Sequence, residues 1–290
     1  MTERAGVIGH PIGHSISPAI YGAAFRAAAI DAAYDAWDTP PDTLDGRVQA
    51  LRGDDFLGAN VTIPHKQAVI PFLDDLADTA SRAGAVNTIV HHEDKLTGHN
   101  TDAAGFARSL AEDAGFDARR KYVLLLGSGG AARAVALALI DAHARTIFVM
   151  GRQPKKIDQL VRDLKPLTPT GTTISWAYWG DGSYLLSMRE SDLIVNCTPV
   201  GMAGSETDGQ SPVDADLIQP HTTVFDVVYN PPETPLVAAA RARGATAVSG
   251  FGMLVHQAAE SFRLWTGRDA DIEAMRAAGR EALAAAAPRS

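Results

Sequence analysis

Short apolar runs and amphipathic stretches alternate along almost the whole chain, the pattern of a βα series. Residues 5–8, 33–37 and 59–63 read as strands, and 18–29, 44–52, 66–73 and 78–83 as helical. Segments 86–91 and 95–99 flank Glu93-Asp94 as a hairpin. Helix-length connections between strands predict a largely parallel sheet. A domain change is expected near Asp102, where the first sheet ends and a helix over 103–112 begins. Beyond it, Tyr122-Val123-Leu124-Leu125-Leu126 is apolar throughout, as a central strand covered on both faces must be. A glycine loop and a helix to about Ala142 follow. Strands over 146–150, 173–176, 193–197 and 224–228 complete a second sheet. Segment 199–212, rich in Gly, Ser and Asp, reads as a mobile surface loop. The helices from Met253 onward fit either domain.

A length of 290 residues suits two domains. At 46% hydrophobic and 21% charged, the chain is neither disordered nor fibrous. The net charge of -8 repels phosphodiester backbones, which argues against nucleic acid as a partner. A single cysteine, Cys197, forms no intrachain disulfide and fits a reducing cytoplasm; its apolar strand makes it a packed thiol. No apolar run reaches the ~18 residues of a membrane span, and the start, with Glu3 and early glycines, is not a signal peptide. His10 and His14 stand four apart, but Pro11 and Gly13 prevent one helix from presenting both, so no metal site is expected. His91, His92 and His99 are expected in solvent, and Trp176, Trp179 and Trp265 in packing. The alanine-rich stretch 281–288 is the one low-complexity tract.

Gly127-Ser128-Gly129-Gly130-Ala131-Ala132 matches G-x-G-x-x-A between a strand and a helix. There the first glycine makes the turn, the second admits a pyrophosphate, and the small last residue packs helix on strand. The free N–H groups of the helix start and its dipole favour the phosphates. An NAD site usually places an acid at the end of the next strand to hold the ribose 2′-OH. This chain instead has Gly151-Arg152-Gln153-Pro154-Lys155-Lys156, with no acid between Asp141 and Asp158. Arg152 suits a 2′-phosphate, so NADP is the expected cofactor. Lys155 and Lys156 either join it or solvate a helix start.

The first domain carries polar residues where a sheet would ordinarily end in bland turns. Ser15 and Ser17 precede Pro18, where Ser17 could serve only as an N-cap. In Asn60-Val61-Thr62-Ile63-Pro64-His65-Lys66, Asn60 and Thr62 share one strand face, and Lys66 follows at its end. Asn87 lies just inside the next strand. Asn100-Thr101-Asp102 closes the hairpin, and Asp102 could simply cap the next helix.

Taken together, 9–18, 60–66, Gly84-Ala85-Val86-Asn87-Thr88, Gly98-His99-Asn100-Thr101-Asp102, the glycine loop, Val227-Val228-Tyr229-Asn230-Pro231 and 250–258 resemble the shikimate/quinate dehydrogenase family, in its order and spacing. The resemblance implies an α/β protein with an N-terminal substrate domain (1–102 with 253–290) and a Rossmann-type doubly wound NADP-binding domain (103–252). It implies reversible reduction of 3-dehydroshikimate to shikimate, with Lys66 and Asp102 as the catalytic pair. Ser15 and Ser17 match residues that hold the substrate carboxylate; Asn60, Thr62, Asn87 and Gln257 match those that bind ring hydroxyls, and Tyr229 lies near the substrate. Asp78, Val227 and Gly250 match positions near the cofactor. Implied partners are small molecules only, with neither membrane nor nucleic acid, and the protein would act as a monomer or homodimer. Gly151-Arg152-Gln153 departs from the Asn-Arg-Thr common in NADP-using members. Asn230-Pro231-Pro232 looks more like the quinate/shikimate branch, using NAD or NADP, whereas Ser17 in place of threonine favours shikimate. A non-catalytic ligand-binding relative would have lost Lys66 or Asp102, and both are present.

Overall fold

A computed structural model describes residues 2–177 and 182–286; Trp179 and the end of the alanine-rich tract lie outside them. The chain divides into two compact units, Met1–Gly105 with Leu254–Ser290, and Phe106–Met253.

The first unit runs β1 (Glu3–Gly9), α1 (Ser17–Ala27), β2 (Ala32–Asp38), α2 (Leu44–Ala50), β3 (Gly58–Val61), β4 (Asp75–Leu76), α3 (Asp78–Ala83), β5 (Thr88–His92) and β6 (Lys95–His99). Its sheet, ordered β2-β1-β3-β5-β6-β4, is mixed rather than largely parallel. β1 pairs in parallel with β2 and β3, but β5 is antiparallel to both β3 and β6. The cause is the hairpin turn: Glu93 and Asp94 both take positive φ, 48 and 63, the two-residue geometry that closes antiparallel strands. The helix expected over 66–73 is instead a set of turns ending in a short 3₁₀ segment, Ile70–Phe72. Pro71 has no N–H to continue a helix, and the following Asp74 N–H bonds to Leu96 O at 3.0 Å. β3 ends at Val61, leaving Thr62 and Lys66 beyond the strand, and Asn87 precedes β5 instead of lying inside it.

α4 (Asp102–Glu112) leads into the second unit, which runs β7 (Tyr122–Leu126), α5 (Gly130–Asp141), β8 (Thr146–Met150), α6 (Pro154–Leu164), β9 (Thr173–Ala177), α7 (Gly182–Glu190), β10 (Leu193–Asn196), β11 (Thr223–Asp226), α8 (Pro235–Ala242) and β12 (Thr246–Ser249). All pairings are parallel, in the order β12-β11-β10-β7-β8-β9. That is a doubly wound sheet whose order reverses between β7 and β10, where such sheets bind ligands. β12 had no clear signal in the sequence. Trp176 is 38% exposed on edge strand β9. Cys197 follows β10, and burial pushes its thiol well up. Segment 199–212 consists of turns joined by backbone bonds, such as Gly201 N–H to Thr207 O at 3.0 Å.

α9 (Phe251–Thr266) and α10 (Ile272–Ala286) complete the first unit. α10 packs on α1. Trp265 is buried on α9 against the rings of Tyr21 and Tyr34, its indole N–H donating to Ile89 O at 2.9 Å. This anchor sets which face of α9 lies over the sheet. No helix among the described residues is long and apolar enough to cross a membrane, and no metal-ligating cluster occurs among them.

Candidate active site

Three connections and one helix bring polar groups together over the first sheet. Lys66, in the turns after β3, reaches Asp102, the first residue of α4, with Nζ at 2.5 Å from Oδ2. The other carboxylate oxygen, Oδ1, accepts from Asn87 Nδ2 at 2.9 Å. Asn87 Nδ2 also lies 3.2 Å from Gln257 Oε1 on α9, while its Oδ1 accepts the Thr101 N–H at 2.8 Å. Asp102 is therefore held from both sides, by an ammonium and by an amide that is itself oriented. Its backbone N–H goes to the Asn100 side chain at 3.1 Å, so Asn100 tethers the helix start, and the Asp102 carboxylate is left to face Lys66 and Asn87. The pair is mostly buried, with side-chain exposures of 22% for Lys66 and 8% for Asp102. Few waters compete for it, and its electrostatics are less screened than a surface pair's.

Asn60 on β3 is buried beneath this group. Its Oδ1 accepts from the Tyr34 hydroxyl at 2.7 Å, and its Nδ2 faces Asn87 O, Thr88 Oγ1 and Ser261 Oγ at 3.1–3.2 Å. Burial pushes the Tyr34 phenol well up, which keeps it a donor. Ser15 and Ser17 lie at the start of α1, after the loop that leaves β1. Ile16, not Ser17, occupies the N-cap; Ser17 is the first helical residue and Pro18 the second, and no side chain caps the helix. The Ser17 N–H bonds weakly to Ser15 Oγ at 3.3 Å, so the Ser17 hydroxyl has no capping duty. Thr62 stands next to this loop: its N–H bonds to Ile8 O at 2.9 Å, and a Cβ on Gly9 would come within 2.6 Å of its methyl. Asp78 opens α3 in the first unit; Tyr229 lies in the second, half-buried, its phenol raised by burial. His91 and His99 are half-buried rather than solvated, because the antiparallel pairing covers them. Burial lowers the His99 pKa, and His91 Nδ1 lies 3.0 Å from Phe56 O. His10 pairs with Asp38.

In the second unit, Gly127 turns the chain out of β7 at φ +116, and a Cβ there would meet Cys197 O at 3.0 Å. Only glycine fits this turn. By contrast Gly129, at the N-cap of α5, has nothing within 4 Å of where a Cβ would stand, and no side chain caps the helix. Open space over uncapped N–H groups is what a pyrophosphate needs. Ser128, Gly130 and Ala131 line the same turn, and Ala132 is fully buried against the sheet. A Cβ on Gly151, after β8, would stand 3.8 Å from Gly127 Cα, so Arg152 emerges beside the glycine loop. Arg152, Lys155 and Lys156 are exposed, and none has an ion pair among the described residues. Lys155 and Lys156 occupy the first turn of α6, which has no acid. Cations there oppose the helix dipole by about 0.3–1 kcal/mol each, so helix stability does not explain them. The exposed cations beside the glycine loop fit a dinucleotide bearing a 2′-phosphate. Gly250 presses against Val227: a Cβ would fall 2.0 Å from Val227 O.

Residues 7–89 match the model of the shikimate dehydrogenase substrate binding domain, and 250–278 that of the shikimate 5′-dehydrogenase C-terminal domain. A shikimate dehydrogenase (NADP(+)) from Moorella thermoacetica is 41% identical over 98% of this chain and 95% of its own. The chain belongs to the shikimate dehydrogenase family. The Thermus thermophilus enzyme, crystallised with NADP(H) and shikimate, superposes with a TM-score of 0.86 at 37% identity, covering 97% of this chain and 99% of that one. A Corynebacterium glutamicum quinate dehydrogenase in complex with NAD gives 0.84 at 30% identity, covering 97% and 99%. Sequence reasoning passed over Tyr34, Thr88, Thr101 and Ser261, which fix Asn60 and Asn87. Ser261 had one available signal: it falls one helical turn after Gln257, on the same face.

Proposed function

We propose that this protein catalyses the NADP-dependent, reversible reduction of 3-dehydroshikimate to shikimate. The carrying observation is the Lys66–Asp102 pair at 2.5 Å, mostly buried and flanked by amides able to bind hydroxyls. Ser15 and Ser17 hold the substrate carboxylate, the Ser17 hydroxyl being free of capping duty; Asn60, Thr62, Asn87, Gln257 and Tyr229 bind its hydroxyls. Lys66 carries the proton that reaches the ring oxygen as the ketone becomes an alcohol, and Asp102 keeps the ammonium aimed. In the reverse direction Lys66 takes that proton back. NADPH, when bound, supplies the hydride. Gly127, Ser128, Gly129, Gly130 and Ala131 cradle its pyrophosphate, while Arg152 with Lys155 and Lys156 holds the 2′-phosphate. Asp78, Val227 and Gly250 complete the cofactor side. The full residue set lies in one chain, so a monomer or homodimer suffices, and one buried thiol suits the cytoplasm. Quinate with NAD or NADP is the second reading, supported by Asn230-Pro231-Pro232. Steady-state assays with shikimate and quinate, each with NADP and NAD, test both. The proposal expects the highest kcat/KM for shikimate with NADP; a higher value for quinate, or for NAD, refutes it.

A further inference from the structure

At the carboxyl edge of the second sheet one carboxylate is enclosed entirely by neutral groups. Asp226, the last residue of β11, is fully buried. Its Oδ1 accepts from the Asn196 amide at 2.9 Å and the Val228 N–H at 3.1 Å; its Oδ2 accepts from the Thr234 hydroxyl at 2.6 Å. Thr234 in turn caps α8, accepting the Val237 N–H at 3.2 Å. Asn196, the last residue of β10, uses its Oδ1 to accept the Thr198 hydroxyl at 2.6 Å and its N–H at 3.0 Å. The connections leaving β10 and β11 are thus tied to one side chain. They meet again where the Ala203 N–H bonds to Asn230 O at 2.8 Å.

Fold stability does not account for this choice of residue. No cation pairs with Asp226 among the described residues; Asn196, Thr234 and the buried Cys197 thiol around it are neutral, and burial raises its pKa to about 6. A buried charge without a countercharge is usually replaceable by a neutral group of the same shape with little loss. Every neighbour here is a donor, however, and only the ionised form accepts from all of them at once. Protonation relieves the cost of burying the charge but gives up part of this set of bonds.

We infer that Asp226 is a positioning residue, whose carboxylate holds connections 196–202 and 227–234 in the arrangement that offers Val227 to the bound nucleotide and Tyr229 to the substrate. This rests on the NADP reading above.

The test is Asp226→Asn, which keeps the size and removes the charge. NADPH affinity is read by fluorescence titration at pH 8 without substrate, beside thermal unfolding. The expected result is a Kd raised about tenfold in a variant that still unfolds cooperatively. Between pH 7 and 5 wild-type affinity should fall more steeply than that of Asp226→Asn, in which nothing at this position titrates. Thr234→Val should follow Asp226→Asn in Kd, whereas Thr234→Ser, which keeps the hydroxyl, should bind like wild type. If Asp226→Asn fails to fold, the Thr234 pair decides. A Kd within twofold of wild type for Asp226→Asn, or equal Kd for Thr234→Val and Thr234→Ser, overturns the inference. Wild type that binds NADH in place of NADPH refutes the NADP reading alone, and the same comparison made with NADH then decides Asp226.

Discussion

Replacing Asp102 by asparagine should be more damaging than replacing it by alanine, and the geometry says why. The carboxylate accepts on both oxygens, from Lys66 Nζ at 2.5 Å and from Asn87 Nδ2 at 2.9 Å. An amide in the same place has one acceptor and one donor, so either orientation turns its NH2 onto a donor. The charge-assisted bond to Lys66 is worth about 1.5–3 kcal/mol, and facing donors in a site this buried add about 1–3 kcal/mol. The expected destabilisation of Asp102→Asn is therefore about 2.5–6 kcal/mol. At roughly 2–4 °C per kcal/mol for a chain of this size, Tm falls by roughly 5–24 °C. Asp102→Ala loses the same acceptors but introduces no misplaced donor, so its Tm should fall less. Both variants should lose about 10²–10⁴-fold in kcat, since Lys66 is no longer held in place. Differential scanning fluorimetry reads the Tm order, steady-state oxidation of shikimate reads kcat, and fluorescence titration checks that NADPH affinity stays within twofold. Asp102→Asn more stable than Asp102→Ala, or kcat within tenfold of wild type, would refute the reasoning.

Four further outcomes are open to measurement. Lys66→Ala should lower kcat about 10²–10⁴-fold and, through loss of the same charge-assisted bond, Tm by roughly 3–12 °C, with NADPH affinity nearly intact; activity within a few fold of wild type removes Lys66 from proton transfer. Ser15→Ala with Ser17→Ala should raise KM for shikimate and leave Tm almost unmoved, because Ser17 caps nothing and Ser15 makes only a long 3.3 Å bond to the helix start; a Tm drop with KM unchanged would contradict this. Arg152→Asp should reduce kcat/KM for NADP by more than about tenfold to a hundredfold, the worth of a charge-assisted contact at ~1.4 kcal/mol per decade, while NAD usage holds or improves. Asp226, whose pKa is raised to about 6 from 3.8, favours the fold when protonated, and that contribution is lost as pH rises from about 4 through 6. The stability of Asp226→Asn relative to wild type, by urea denaturation, should therefore improve by up to about 3 kcal/mol from pH 4 to pH 8, and a pH-independent difference would refute this.

The legible parts of the sequence were those whose cause is local. The all-apolar run ending at Leu126, the glycine turn after it and the cations after Met150 each announce themselves within a few residues. The site's backbone was harder. The strand expected over 59–63 is two positions too long at its end, because β3 stops at Val61. The antiparallel half of the first sheet was hidden because 86–91 and 95–99 were recognised as a hairpin without carrying that direction through to β3. Lys66 was expected at a helix start, and Pro71 prevented the helix. The supports around the amides were out of reach for another reason. Ser261 lies 173 positions from its partner Thr88, and periodicity says nothing about which strand a returning helix will cover. Asp226 had a faint signal, an acid closing the apolar run Thr223-Val224-Phe225.

That return of the chain also orders events during synthesis. The second unit is contiguous, and all its strands are made before Met253 leaves the ribosome. The first unit is interrupted: Asn87 and Asp102 emerge early, but Gln257 follows only after roughly 150 further residues, about 8–30 s at ~5–20 residues per second. Through that interval Tyr21 and Tyr34 lack the indole that later covers them, and the Asn60 amide lacks Ser261. The nucleotide-binding half can thus reach its native form, and take up its ligand, while the half that would do the chemistry is still an exposed, unfinished sheet awaiting α9 and α10.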